Sequence, residues 1–337
     1  MPRRIIGVEK NYDWGDSTSI ASALGLPASS TPIAEYWWGT HPQGPSHVDE
    51  PNGTLLSVLS GEMSVMVKLL ACDKPLSLQT HPTLEQADHG FIAEETAGID
   101  RDASHRLYRD ASDKPEMLIA LSRFEALCGF ADTDSSLEHL RNIGWHDEAD
   151  VLEQNGIDGY LPWAFEQDST PAMSNAPAWL QRIAELHPHD RGLRVAPLLN
   201  YVVLQPGEAM CLPAGNLHAY LHGFGLEVMK SSDNVVRAGF TSKHVDVPEL
   251  LRIVDTTPLE NPVVSPSRVD NHDEYPSPSP AFSVACVHSK GHVEMQPSEE
   301  VRIVLTMSSA KTEAFFVAPN ESATFVGDGP VWVVTQN

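Results

Sequence analysis

Short apolar runs, bounded by glycine, proline and polar clusters, set the rhythm of this chain. Residues 65–71 read Val-Met-Val-Lys-Leu-Leu-Ala, residues 118–121 form a second run after Pro115, and residues 198–204 read Leu-Leu-Asn-Tyr-Val-Val-Leu. Further on, residues 301–307 read Val-Arg-Ile-Val-Leu-Thr-Met and residues 331–335 read Val-Trp-Val-Val-Thr. Runs of this length with turn residues between them predict β-strands. Pro206-Gly207-Glu208 reads as a turn closing the third run. Helical spacing appears in 83–95, where Leu84, Ala87 and Phe91 fall on one side, and again in 135–152 and 177–186. The stretch 156–175 reads as polar and turn-rich. The pattern therefore predicts a small helical insert between two β-rich blocks. The Pro/Ser/Asp-rich stretch 257–280 reads as a linker or long loop before a last block of short strands.

Composition narrows the partners. The chain has 337 residues, 41% of them hydrophobic and 20% charged, which is an ordinary globular balance long enough for about two or three domains. Acidic residues number 46 against 22 basic, a net charge of −24. Such a field repels phosphate backbones and anionic lipid surfaces, so neither nucleic acid nor membrane is an expected partner. A small anionic substrate still fits if local Lys and Arg reverse the field within a cleft. Cys72, Cys128, Cys211 and Cys286 are scattered and form no CxxC pair, so free thiols in a reducing compartment are expected. The opening segment carries no apolar stretch of signal-peptide length, and no run approaches the roughly 18 apolar residues of a membrane span. The expectation is a soluble, cytoplasmic protein, taken as a monomer.

Four segments carry candidate chemistry. In Ser77-Leu78-Gln79-Thr80-His81-Pro82 an extended backbone puts Ser77, Gln79 and His81 on one face, and imidazole with amide oxygen can ligate a borderline metal. Gly207 followed by Pro213-Ala214-Gly215-Asn216-Leu217-His218 is a turn that aims a histidine from the start of the next strand. It resembles the second motif of the cupin superfamily, whose closing Asn falls at His222 here. In Asp113-Lys114-Pro115-Glu116, Lys114 and Glu116 share a face if extended. Finally, 227–243 embeds Glu227, Lys230, Asp233, Arg237 and Lys243 among Val, Met, Ala and Phe, where charge is costly unless paired or used.

Taken in order, with Asn11-Tyr12-Asp13-Trp14-Gly15 and Ala34-Glu35-Tyr36-Trp37-Trp38-Gly39-Thr40-His41-Pro42 before them, these segments resemble the type I phosphomannose isomerases, zinc enzymes of the cupin superfamily. The resemblance spans most of the chain and is longest over 212–243. It implies a mainly β fold: a cupin-type β-barrel catalytic domain in two parts (1–133 and 191–257), a helical insert (134–190) and a smaller C-terminal β-domain (258–337). It implies zinc on Gln79, His81, Glu116 and His218. Glu85, four after His81, is a rival ligand, disfavoured because the helix starting at Thr83 carries it away. The expected reaction is the interconversion of mannose 6-phosphate and fructose 6-phosphate through a cis-enediol.

On that reading Arg237, Lys114, Glu227 and Asp233 are the catalytic candidates, and Ser77, Lys68 and Lys243 the substrate-binding ones. Lys114, Glu227, Asp233, His81 or a metal-bound water would relay the proton, and their order is left open. Two departures from the family pattern stand out: Asp113 replaces a histidine, and Ser242 replaces a proline before Lys243. Another sugar-phosphate isomerase or epimerase on this scaffold, and a non-catalytic sugar-binding cupin, are the alternative readings.

Overall fold

The structure is a computed structural model that describes residues 1–288 and 291–337. It is built in layers. The run at 65–71 becomes the strand Val65–Cys72, buried along its whole length because both of its faces are covered. Val65, Val67, Leu69 and Ala71 pack towards an eight-stranded sheet made mostly of C-terminal strands. Leu70 and Cys72, on the other face, meet Leu118, Ala120, Phe124, Ala126, Val202 and Leu204 between two catalytic-side sheets. A strand buried on both faces reads as a continuous apolar run rather than an alternating one.

One long strand, His218–Lys230, joins those two sheets. Its first residues pair with Phe124–Phe130 and Leu78–Thr80, and residues 223–230 pair with Val65–Cys72 and Glu116–Ala120. The changeover needs a bend. A register shift lies between Tyr220 and His222, and Gly223 follows with φ +133°. A Cβ at Gly223 would lie 2.7 Å from the Phe124 ring and 2.8 Å from the Arg123 carbonyl, so only glycine fits the corner. His222, at the cupin motif's closing position, is exposed at this bulge and takes no part in the site. The catalytic-side strands trace an open path rather than a ring among the described residues.

The helical insert covers the outer face of the second sheet through a large apolar cluster that includes Phe130, Leu140, Leu152, Tyr160, Leu180 and Leu198. The sequence reading needs three corrections here. The segment 135–152 is two helices, Thr133–Asn142 and His146–Glu166. The second helix continues, with a break at Gly156, through residues expected to be turn-rich. Ile157, Tyr160, Leu161, Ala164 and Phe165 are buried along it at 3–4-residue spacing. On the helix Leu84–Thr96, only Ala87 of the supposed apolar face is buried and Leu84 is exposed. That helix is held at its start by a reciprocal Thr83–Gln86 capping box.

The stretch 257–280 is also more ordered than a linker. Val263–Val264 pairs with Ala209–Leu212, while Ser267–Val269 and His272–Tyr275 extend the C-terminal sheet. That sheet also recruits Arg3–Ile6 and His47–Val48 from the start of the chain. The four cysteines are free, three of them buried and Cys211 half-buried. No helix among the described residues is long and apolar enough to cross a membrane.

Candidate metal centre and anion pocket

The space between the two catalytic-side sheets is apolar at one end and polar at the other. Period-two alternation explains this. Lys68 continues the inward row of Leu70 and Cys72, and Glu116 continues that of Leu118 and Ala120. Glu227 stands opposite both Lys68 and Leu118, and His218 opposite Gln79. Strand register thus gathers polar residues distant in sequence at one mouth.

His81, Glu116 and His218 form the centre of this mouth. Each is 1–2% exposed, and one donor atom from each lies within 4.8 Å of the others. The Glu116 carboxylate is 3.5 Å from His81 Nε2 and 3.7 Å from His218 Nε2. Each imidazole is oriented from behind: His81 Nδ1 bonds the Asn234 carbonyl at 2.7 Å, and His218 Nδ1 bonds the Asn216 carbonyl at 3.0 Å. A carbonyl only accepts, so both Nδ1 atoms carry the proton and both Nε2 atoms present lone pairs. Those two Nε2 atoms are buried without a hydrogen-bond partner. Burial and the nearby Lys114 charge lower the proton affinity of His81; burial and His81 bring His218 down to about 4. Burial alone would raise the Glu116 carboxyl, but the Lys114 ammonium, at 3.0 Å, holds it well below the usual range. Two neutral imidazoles with orphaned inward lone pairs beside an ionised carboxylate fit a divalent metal of the zinc type.

Backbone geometry locks the two histidines together. In the Pro213-Ala214-Gly215 turn the Gly215 N–H donates to the His81 carbonyl at 2.8 Å. Gly215 has φ +79°, and a Cβ there would lie 2.9 Å from Asp255. Gln79 lies opposite both His218 and Arg237 in register, so its side chain shares their face. Its Oε1 accepts a 2.8 Å hydrogen bond from Ser77 Oγ and makes none to the histidines. Glu85 is exposed on the first turn of its helix, away from the group.

Two polar systems flank the donors. On one side Lys68 Nζ is 2.8 Å from Glu227 and 3.5 Å from Glu35, and Tyr220 donates to Glu227 at 2.8 Å. Trp37 Nε1 donates to the other oxygen of Glu35. Burial opposes the charge on Lys68, yet Glu227 and Glu35 outweigh it and hold the amine protonated. Burial, aided by Glu116 and Glu35 and opposed by Lys68, raises the Glu227 carboxyl. On the other side Asp233 lies 3.4 Å from His41 Nε2 and accepts a 3.0 Å bond from Gln43. Burial would raise Asp233, but His41 keeps it ionised.

The third feature is a set of unpaired cations. Arg237 is half-buried and Lys243 exposed, and among the described residues neither side chain has a carboxylate or carbonyl partner. Burial, then the charge of Arg109, lowers the Arg237 guanidinium; burial, then Arg237 and Arg109, lowers Lys243. Arg237, Lys243 and Arg109 repel one another, and among the described residues Arg237 and Lys243 have no counterion, an arrangement suited to an anion. The mouth as a whole sets Lys68, Arg109, Lys114, Arg237 and Lys243 against Glu35, Glu116, Glu227 and Asp233. A chain of net charge −24 thus carries a locally cationic cleft.

The sequence reading assigned no role to Arg109, Glu35, His41 or Tyr220. Two signals were available: Arg109 sits in the motif that leads to Glu116, and Tyr220 follows His218 by two, hence on the same strand face.

Residues 3–133 match the model of the phosphomannose isomerase type I catalytic domain. A mannose-6-phosphate isomerase of Shigella flexneri is 30% identical over 379 aligned residues, which covers 96% of each chain. The Salmonella typhimurium mannose-6-phosphate isomerase is 33% identical over 80% of each chain. A crystal structure of the Salmonella enzyme bound to its substrate, fructose 6-phosphate, and zinc superimposes with a TM-score of 0.86 at 27% identity, covering 100% of this chain and 99% of that one. A crystal structure of a zinc-bound holo mannose 6-phosphate isomerase superimposes with a TM-score of 0.85 at 27% identity. With near-complete coverage in both sequence and fold, this chain belongs to the type I phosphomannose isomerase family.

Proposed function

We propose that this protein interconverts mannose 6-phosphate and fructose 6-phosphate through a cis-enediol, with zinc held by His81, Glu116, His218 and the amide oxygen of Gln79. The observation that carries the reading is the pair of buried Nε2 lone pairs converging on Glu116, on the sheet face that also carries Arg237. Bound zinc would supply a Lewis acid that polarises the sugar's oxygens.

The chain's own groups divide the remaining work. Arg237, Lys243 and Arg109 bind the phosphate and, in the case of Arg237, also face charge that develops on the sugar. Ser77 and Lys68 orient the open-chain sugar. Glu227, whose proton affinity burial has raised, moves the proton between C2 and C1 more readily than Asp233, which His41 keeps ionised. Lys114 neutralises Glu116 and holds it in place.

The substrate assignment is tested with a panel of aldohexose 6-phosphates and free mannose. Mannose 6-phosphate is expected to give the highest kcat/KM, and free mannose to lose at least ~10²-fold, since the unpaired cations would then face no anion. Faster turnover of another aldose phosphate would transfer the assignment to that sugar.

A further inference from the structure

Asn234 is fully buried and carries no charge, yet it touches both poles of the site. Its backbone carbonyl accepts from His81 Nδ1 at 2.7 Å and so sets the tautomer and aim of a metal donor. Its carboxamide holds the loop that begins at Arg109 and leads into Lys114 and Glu116. Oδ1 accepts from the Arg109 and Asp110 backbone N–H groups at 2.7 and 3.2 Å. Nδ2 donates to the Asp110 and Ser112 carbonyls, both at 2.8 Å, and to Asp110 Oδ1 at 3.2 Å. Asp110 closes the circuit: its carboxylate accepts from Ser112 N, Ser232 Oγ and, at 3.0 Å, Asp233 N. Every donor and acceptor of the Asn234 amide is used.

We propose that Asn234 is a positioning residue that couples the metal pole to the phosphate pole: it fixes His81 through its carbonyl and the Arg109–Lys114 loop through its side chain. This positioning role rests on the function proposed above only for the identity of the anion. Alanine at 234 would strip the partners from two partly buried backbone N–H groups and two carbonyls, which must then find water or move. Aspartate would keep the acceptor but turn an oxygen towards two carbonyls and the Asp110 carboxylate. In either case the loop and the peptide that orients His81 shift together. A role in folding alone would not weaken zinc and sugar phosphate as a pair in a folded protein.

The test uses the full-length Asn234→Ala and Asn234→Asp variants, with Lys230→Ala as the comparison. Lys230 pairs with Asp113 at the edge of the same loop without touching the carboxamide. Zinc affinity is read by competition with a chromophoric chelator, and KM for mannose 6-phosphate at saturating zinc. In folded Asn234 variants zinc binding is expected to weaken at least ~10-fold, the scale of lost outer-shell support, and KM to rise at least ~10-fold. Lys230→Ala is expected to stay within about threefold on both, because a partly exposed ion pair contributes little. Zinc affinity and KM within about twofold of the parent in a folded Asn234 variant would overturn the proposal. So would equal losses in Lys230→Ala. If neither Asn234 variant folds, Asp110→Asn decides by the same paired readout. A parent inactive on mannose 6-phosphate would refute the isomerase reading, while the zinc comparison would still decide the positioning role.

Discussion

His218→Ala is expected to lose zinc and isomerase activity together. His218 opens the long central strand, is 2% exposed, and aims an unpartnered Nε2 at Glu116. Its removal leaves one imidazole and one carboxylate of the three-residue cluster, and among the described residues no other His, Cys, Asp or Glu places a donor atom within 4.8 Å of both. With the metal goes the several kcal/mol of charge stabilisation that a bound Lewis acid contributes, a loss of ~10³-fold or more in kcat/KM. The fold should persist, because the Gly215–His81 bond and the strand pairing are backbone interactions. Zinc content after dialysis, activity and a thermal melt on the same sample check this. A metal-free His218→Ala protein with full activity would remove zinc from the account.

Arg237→Ala is expected to keep both zinc and fold but to lose ~10²–10³-fold in kcat, the scale seen when a donor to developing negative charge is deleted. Arg237 projects from Val236–Gly239 on the face it shares with Gln79, half-buried and without a counterion. A partly desolvated guanidinium with no partner contributes nothing to the resting protein, so its value lies in what it meets during turnover. Steady-state kinetics with parallel zinc analysis separate the possibilities. If KM rises while kcat holds, Arg237 binds the phosphate and does not stabilise the transition state.

Local pattern made much of this readable. The apolar runs at 65–71, 198–204, 301–307 and 331–335 give strands, and the first, buried along its whole length, shows covered faces as continuous hydrophobicity. His81 and Glu116 each sit beside a proline with a polar partner two residues earlier, His218 follows the Pro213-Ala214-Gly215 turn, and the structure brings their donor atoms within 4.8 Å. The helix over 157–166 was missed although Ile157, Tyr160, Leu161, Ala164 and Phe165 keep helical spacing. Gly156, Gly159 and Pro162 read as breakers, and packing against the insert's core outweighed them. The parts set by distant pairing were not legible. Nothing local announces that Arg3–Ile6 joins the C-terminal sheet, or that Val263–Tyr275 divides between two sheets. Arg109 and Asn234 are 125 residues apart, and only the fold shows that one anchors the other.

Metal dependence and isomerase turnover can be read in one experiment. The most direct test is a coupled assay for fructose 6-phosphate formed from mannose 6-phosphate, run on as-purified, chelator-treated and zinc-restored protein. Turnover is expected to fall with chelation and to return with about one equivalent of zinc. Zinc bound stoichiometrically with no turnover in any sample, or full turnover in the chelated protein, would contradict a metal-dependent isomerase.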